Sequence, residues 1–160
     1  MAKNYNINKG GEMRYIVRKI KKEDLEPGKG FFATLSNLTK TPSLSFEERL
    51  AIWEKIKNRG DEVFVAVSQE KGEIIGTVKF LLDWKFFRGG SLALHLEDFV
   101  VREGYEGQGV AMALWEFFLE RAKELKPYKI ILDCDKDLVP FYRDKLGFYE
   151  FEICMRKDNL

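Results

Sequence analysis

A glycine-rich turn restricts this fold more than any other stretch of the sequence. Glu106-Gly107-Gln108-Gly109-Val110-Ala111 stands between a strand, Leu92 to Val101, apolar but for His95 and two acids, and the longest helical pattern, Gly109 to Lys126. That helix carries Ala113, Trp115, Phe117, Phe118 and Ala122, apolar on much of its circumference, and it stops before Pro127, which has no N–H to give. A short apolar strand, Lys129 to Cys134, follows. Strand, tight turn, long helix and strand make a crossover unit whose two strands run parallel.

Around this unit the chain reads as further strands and helices. Tyr15 to Ile20 alternates around β-branched residues as a first strand. Phe31, Leu35 and Leu38 have helical spacing and predict a helix ending at Thr39, before Pro42. Ser45 with Glu48 forms a capping box, and Phe46, Leu50 and Trp53 then share one helical face until Gly60. Val63 to Val67 and Ile74 to Leu82 are strands joined by the turn Gln69-Glu70-Lys71-Gly72. Leu138 to Leu146 is a helix closed by Gly147, and Tyr149 to Met155 reads as a last strand. Hairpin steps make antiparallel neighbours, so the whole is an α/β fold with a mixed sheet and helices on both faces. Residues 1–13, polar and glycine-containing, read as a flexible arm, and residues 14–160 as one domain.

Charge narrows the function. With 27 basic and 26 acidic side chains well interleaved, there is no one-sided basic field of the kind that holds nucleic acid. No apolar run approaches the ~18 residues that a membrane span needs, and the first residues lack the apolar core of a signal peptide. Two cysteines, Cys134 and Cys154, are too few for a disulfide framework and suit a reducing, cytoplasmic compartment.

The glycine turn suits an anion. Glycines let several N–H groups face one point, and a helix start adds unpaired donors and partial positive charge, which favours a pyrophosphate. A tight turn whose glycines serve only geometry is the plain alternative. A P-loop is excluded because no Lys-Ser/Thr follows the glycines. In a dinucleotide fingerprint Gly107 and Gly109 fit, and Asp133 closes the next strand. Met112, however, replaces the third glycine, and too little chain follows to complete a doubly wound sheet.

A strand, then Gln/Arg-x-x-Gly-x-Gly/Ala, then a long helix resembles the GNAT superfamily of acetyltransferases, with Glu106 at the first position and Ala111 at the last. Leu94-His95-Leu96-Glu97-Asp98-Phe99-Val100-Val101, Tyr105, Tyr128-Lys129-Ile130-Ile131-Leu132-Asp133-Cys134-Asp135, Phe141-Tyr142, Gly147-Phe148 and Met155-Arg156-Lys157 resemble, within it, the glucosamine-6-phosphate N-acetyltransferases. The resemblance is strongest over Leu94 to Phe148. Arg143-Asp144-Lys145 adds one residue before Gly147, and the last strand is shorter than that family's.

The resemblance implies acetyl-CoA as co-substrate without a metal. It also implies direct attack in a ternary complex and a place in amino-sugar and UDP-N-acetylglucosamine biosynthesis. It places the pantetheine arm along Phe99, Val100 and Val101, and the pyrophosphate at Gly107, Gln108, Gly109, Val110, Ala111 and Met112. Asp133, Tyr142 and Arg143 complete the coenzyme site. Glu97, Asp133 and Tyr142 would be catalytic. Asp133 would hold the amine, which must lose a proton before it can attack, and the Tyr142 phenol would donate to the departing thiolate. Thr39, Lys85, Arg88, Glu97, Asp98, Tyr128, Lys129 and Arg156 would contact the amino-sugar phosphate. A homodimer sharing its acceptor sites is implied through the last strand and Arg156, with no nucleic acid or membrane as partner.

Each residue also has a structural reading. Glu97 and Asp98 are adjacent on a strand, so they face opposite sides unless a bulge intervenes, and both could be solvated on an edge. Asp133, Asp135 or Asp137 could cap the next helix, and Tyr142 could be a core aromatic. His95, the only histidine, reads as a packed or surface residue rather than the base, and Cys134 as packing, since no histidine partner for it is identifiable. Two other functions remain open: acetylation of another small amine or a protein N-terminus, and a non-catalytic CoA-binding module.

Overall fold

Alternation along the third strand builds two cores at once. Val63 and Val65 point to one face of the sheet, while Phe64 and Ala66 point to the other. The computed structural model describes residues 2–8 and 12–158. Its strands are β1 (Ala2–Asn8), β2 (Glu12–Lys19), β3 (Glu62–Ser68), β4 (Ile74–Trp84), β5 (Leu92–Val101) and β6 (Lys129–Ile131). The helices are α1 (Phe31–Leu35), α2 (Phe46–Asn58), α3 (Val110–Leu125) and α4 (Val139–Leu146). The strands lie in sequence order in one sheet, antiparallel throughout except for the parallel pair β5–β6. This is the mixed α/β sheet that the hairpin and crossover signals predict.

α3 covers one face. Val110, Ala113, Leu114, Trp115, Phe117, Phe118 and Ala122 are buried against Tyr15, Val17, Phe64, Ile75, Val78, Phe80 and the leucines of β5. The other face is covered by α1 and α2, whose Phe31, Phe32, Phe46, Leu50 and Trp53 close over Ile20, Leu25, Val63, Val65 and Ile74. The capping box of α2 is present: Glu48 N–H donates to Ser45 Oγ at 3.2 Å, and Ser45 N–H to Glu48 Oε2 at 2.7 Å. Glu62, buried on β3, is satisfied by Arg121 of α3 at 2.7 Å, which ties sheet to helix.

Four readings of the sequence are corrected. The first residues are not a loose arm, because Ala2–Asn8 pairs with β2, and Tyr5 stacks on Tyr15 at 5.6 Å. The helix expected through Leu38 ends at Leu35. There Ser36 Oγ turns back to the Ala33 carbonyl and the Asn37 amide reaches Val101, so polar side chains compete with the helical ladder. β6 stops at Ile131 instead of Cys134, since β5 offers it a partner only as far as His95. Finally, residues 149–155 form no strand among the described residues. Their alternating Tyr149, Phe151, Ile153 and Met155 are 71–91% exposed and pair with no strand of the sheet.

Candidate active site

A bulge in β5 creates the cleft. Thr77 of β4 faces Val100, but Lys79 faces Glu97, so Val78 lies opposite two residues, Asp98 and Phe99. Asp98 adopts φ 47°, a left-handed conformation that side chains seldom take. A bulge bends its strand. Beyond His95, paired with Ile131, β5 has no β6 neighbour, so Leu96 to Val101 present an unpaired edge toward β6 and α4. An unpaired edge is a template for an extended, amide-bearing ligand. Phe99, Val100 and Val101 lie on it.

The glycine turn ends this edge. Gly107 and Gly109 have φ of 69° and 73°, and Gly109 is the N-cap of α3 without any side-chain cap. The first N–H groups of α3, at Val110, Ala111 and Met112, therefore take no side-chain cap among the described residues. Two side chains brace the loop. Glu106 Oε2 accepts the Gly104 N–H at 2.7 Å, which turns its carboxylate back onto the loop, and Gln108 Nε2 donates to the Gly104 carbonyl at 3.0 Å. Asn37 Nδ2 donates to the Val101 carbonyl at 3.1 Å and fastens the α1 exit to the end of the edge.

Tyr142 closes the far side of the cleft. The start of α4 places its ring 6.4 Å from Phe99 and 6.0 Å from Phe148. Gly147 ends α4 at φ 77°, with Gly147 N–H on the Arg143 carbonyl and Phe148 N–H on that of Tyr142. Burial, followed by the nearby Cys134, raises the phenol above its ordinary pKa, so it is a hydrogen-bond donor at neutral pH. Arg143 is exposed and its guanidinium lies on the neighbouring Asp144 at 2.8 Å.

The opposite face of the same strands carries charge. Leu92, Leu94 and Leu96 belong to the α3 core, so His95 and Glu97 point to the α1–α2 side. Lys79 faces Glu97 in register but bonds Asp98 at 2.6 Å. Glu97, half-buried, therefore has no side-chain partner among the described residues, and the solvated-edge reading of this acid pair is replaced by one bound and one free carboxylate. At the β4–β5 hairpin Lys85 pairs with Asp83. Arg88 sits 5.0 Å and Lys129 5.7 Å from the Tyr128 ring, and neither has a carboxylate partner among the described residues. Against the single negative charge of Asp83, this end holds three cations, an excess of two.

The structure brings Phe99 and Tyr142 together on the α3 side, sets Glu97 and Asp98 at the β5 bulge with Asp98 on Lys79, and separately groups Lys85, Arg88, Tyr128 and Lys129. Asp133 is exposed just past β6 and caps no helix; neither the 3₁₀ turn at Lys136–Leu138 nor α4 has a side-chain cap. A hydrogen bond to its carboxylate raises the Cys154 thiol. Cys134 is exposed, not packed in the core; the part of its thiol withdrawn from water, and then the neighbouring Asp135, Asp133 and Glu150, raise its pKa and keep it a poor nucleophile. Thr39 is exposed beyond α1. Arg156 is not brought to either cluster, being exposed and bonded to Asp158 at 2.8 Å.

Sequence reasoning missed Asn37, Asp83, Lys79 and Gly76. A β-carbon on Gly76 would lie 2.8 Å from Val110 Cγ1 and 2.9 Å from Leu114 Cδ1, so this glycine lets the start of α3 approach the sheet. A lone glycine in a strand pattern is the signal that could have found it; the other three leave no mark in sequence.

A splayed parallel pair beside an uncapped, glycine-started helix is the architecture of an N-acetyltransferase. The chain belongs to the Acetyltransferase (GNAT) family, whose profile matches residues 32–148. That family uses acetyl-CoA. Glucosamine 6-phosphate N-acetyltransferase of Arabidopsis thaliana is 34% identical over 145 residues, covering 89% of this chain and 95% of that one. The enzyme of the same name from Trypanosoma brucei brucei is 37% identical over 124 residues, 78% of this chain and 84% of its own. The crystal structure of the Arabidopsis thaliana glucosamine-6-phosphate N-acetyltransferase superposes with a TM-score of 0.83 at 32% identity, covering 90% of this chain and 97% of that one.

Proposed function

We propose that this acetyltransferase moves the acetyl group of acetyl-CoA to the amine of glucosamine 6-phosphate by direct attack in a ternary complex. The observation that carries the reading is the free carboxylate of Glu97 on the same sheet face as a hairpin end with two excess positive charges. An amine and a phosphate on one small acceptor need that pairing, and a polyamine or a bare peptide N-terminus does not. The coenzyme's amide-bearing arm runs along Phe99 to Val101, and its pyrophosphate rests on the N–H groups that open α3. Glu97 and Asp133 hold the acceptor amine. The phenol of Tyr142 donates to the thiolate as the carbon–sulfur bond breaks. Arg88, Lys129 and Lys85 take the phosphate, for which a guanidinium offers two parallel donors.

The protein works as a homodimer in this reading. The exposed alternation of Tyr149, Phe151, Ile153 and Met155 supports it, since such a strand-like apolar row is stable only when another chain covers it. Arg156 then reaches the partner's acceptor. Two exposed free thiols are consistent with a reducing cytoplasm, and the product suits amino-sugar nucleotide synthesis. An acceptor screen that follows CoA release tests the substrate: glucosamine 6-phosphate should saturate at far lower concentration than glucosamine, spermidine or a peptide N-terminus. Equal or better turnover of any of these would replace the proposed acceptor.

A further inference from the structure

One contact on the acceptor face has no part in the chemistry above. His95 Nε2 lies 3.3 Å from Asp83 Oδ2, and the same oxygen receives the Lys85 ammonium. A carboxylate only accepts, so Nε2 is the donor in this bond. Asp83 is held below the ordinary carboxylate range, chiefly by Lys85 and also by His95, and so stays ionised. His95 lies where β5 leaves β6, two residues before Glu97 and on its face, with Leu81 opposite on β4. The cluster thus stands between the free carboxylate and the hairpin cations.

We infer that His95 and Asp83 are positioning residues that set the direction and effective charge of Lys85, and through it the preference for a phosphorylated acceptor. The inference rests on the reading of Lys85 as a phosphate-facing cation. A lysine head on a four-carbon stem has many rotamers and takes its direction from whatever holds it. Asp83 holds it through one oxygen only, and an aspartate with a single partner can rotate and close on the ammonium, cancelling its charge. The second bond, from His95, pins that oxygen and draws off part of its electron density. Lys85 then stays directed yet incompletely neutralised, the state in which it can exchange a carboxylate for a phosphate.

The test compares glucosamine 6-phosphate with unphosphorylated glucosamine as acceptors, using the full chain with acetyl-CoA. His95→Ala should raise KM for the phosphorylated sugar about 3–10-fold, the usual range for a lost, partly exposed hydrogen bond to a charged group. Its kcat, and its KM for glucosamine, should stay within about twofold of the parent. His95→Gln, whose amide N–H can reach the position of Nε2, should recover most of the loss. In an Asp83→Asn background His95→Ala should have no further effect, because the two residues act through one bond. A His95→Ala variant that keeps the parent preference, or that loses both acceptors equally, overturns the inference, as does a well-folded His95→Gln without rescue. Lys85→Ala separates the two levels. If the parent prefers the phosphorylated sugar and Lys85→Ala loses that preference while His95→Ala keeps it, the inference alone fails. A parent without the preference overturns the proposed acceptor and the inference with it.

Discussion

Replacing Gly76 by alanine should damage the coenzyme site through the sheet face on which α3 packs. The new β-carbon would meet Val110 Cγ1 at 2.8 Å and Leu114 Cδ1 at 2.9 Å. Carbon atoms are comfortable at about 3.5–4.0 Å, so α3 must retreat by roughly 0.6–1 Å at its first turn. Overpacking of this kind costs about 1–3 kcal/mol, and the loss of a strand glycine returns about 0.5–1 kcal/mol. The net is about 0–2.5 kcal/mol, centred near 1, or a fall in Tm of roughly 2–4 °C at that centre for a domain of this size. The same retreat carries the N–H groups of Val110 to Met112 away from the pyrophosphate, so acetyl-CoA affinity should fall about tenfold or more. Calorimetry with and without acetyl-CoA measures both quantities. Val110→Ala removes the struck methyl group, so the double variant should be more stable than the sum of the single effects. Parent-like melting and affinity in Gly76→Ala, or strict additivity with Val110→Ala, would refute the close approach as the device that sets the site.

Three further outcomes are expected. Tyr142→Phe should lower kcat about 10²-fold with little change in KM, and Asp133→Ala should lose most turnover while still binding acetyl-CoA; steady-state kinetics and a binding titration separate the two. Mixing inactive Asp133→Ala and Arg156→Ala proteins should restore activity if acceptor sites are shared, because a mixed dimer holds one site free of both defects; a monomeric sedimentation profile without recovery would exclude sharing. Burial, with Tyr5 and Glu116 nearby, pushes the Tyr15 phenol up to about 12. Below pH 10 both folded and unfolded chains carry it neutral. As pH rises from about 10 to 12 the unfolded chain ionises first, so stability should fall by about 1.4 kcal/mol per pH unit, a slope that Tyr15→Phe removes in denaturant titrations.

What could be read from sequence was local and strongly patterned. α3 announces itself by its apolar circumference between Gly109 and Pro127, β5 by apolar residues on both sides of the Glu97-Asp98 pair, and the α2 cap by Ser45 and Glu48. The glycine turn marks the helix end that the structure leaves uncapped. Adjacent Glu97 and Asp98 raise the question of a bulge, but only the register against β4 settles that Asp98 takes Lys79 and Glu97 is left free. β1 escaped notice because Ala2–Asn8 is mostly polar in sequence and is held by pairing with β2, a long-range term that local propensity does not contain. The last strand failed for the converse reason. Tyr149 to Met155 alternates as a strand should, but the alternation alone does not say which edge, if any, it joins, and in this chain it joins none of the six strands. Lys85 and Arg88 could be nominated only by resemblance, since their grouping with Tyr128 and Lys129 depends on how a hairpin and a parallel strand meet.

The central claim is tested most directly by the bond that is made. Acetyl-CoA labelled with ¹³C at the acetyl carbonyl, incubated with the protein and glucosamine 6-phosphate, should yield one labelled amide on the sugar nitrogen for each CoA released. NMR would place the carbonyl on the C2 amine, with no label on the protein at any time. Release of CoA without a sugar amide, or label held by the protein before it reaches the sugar, would contradict direct transfer to this acceptor.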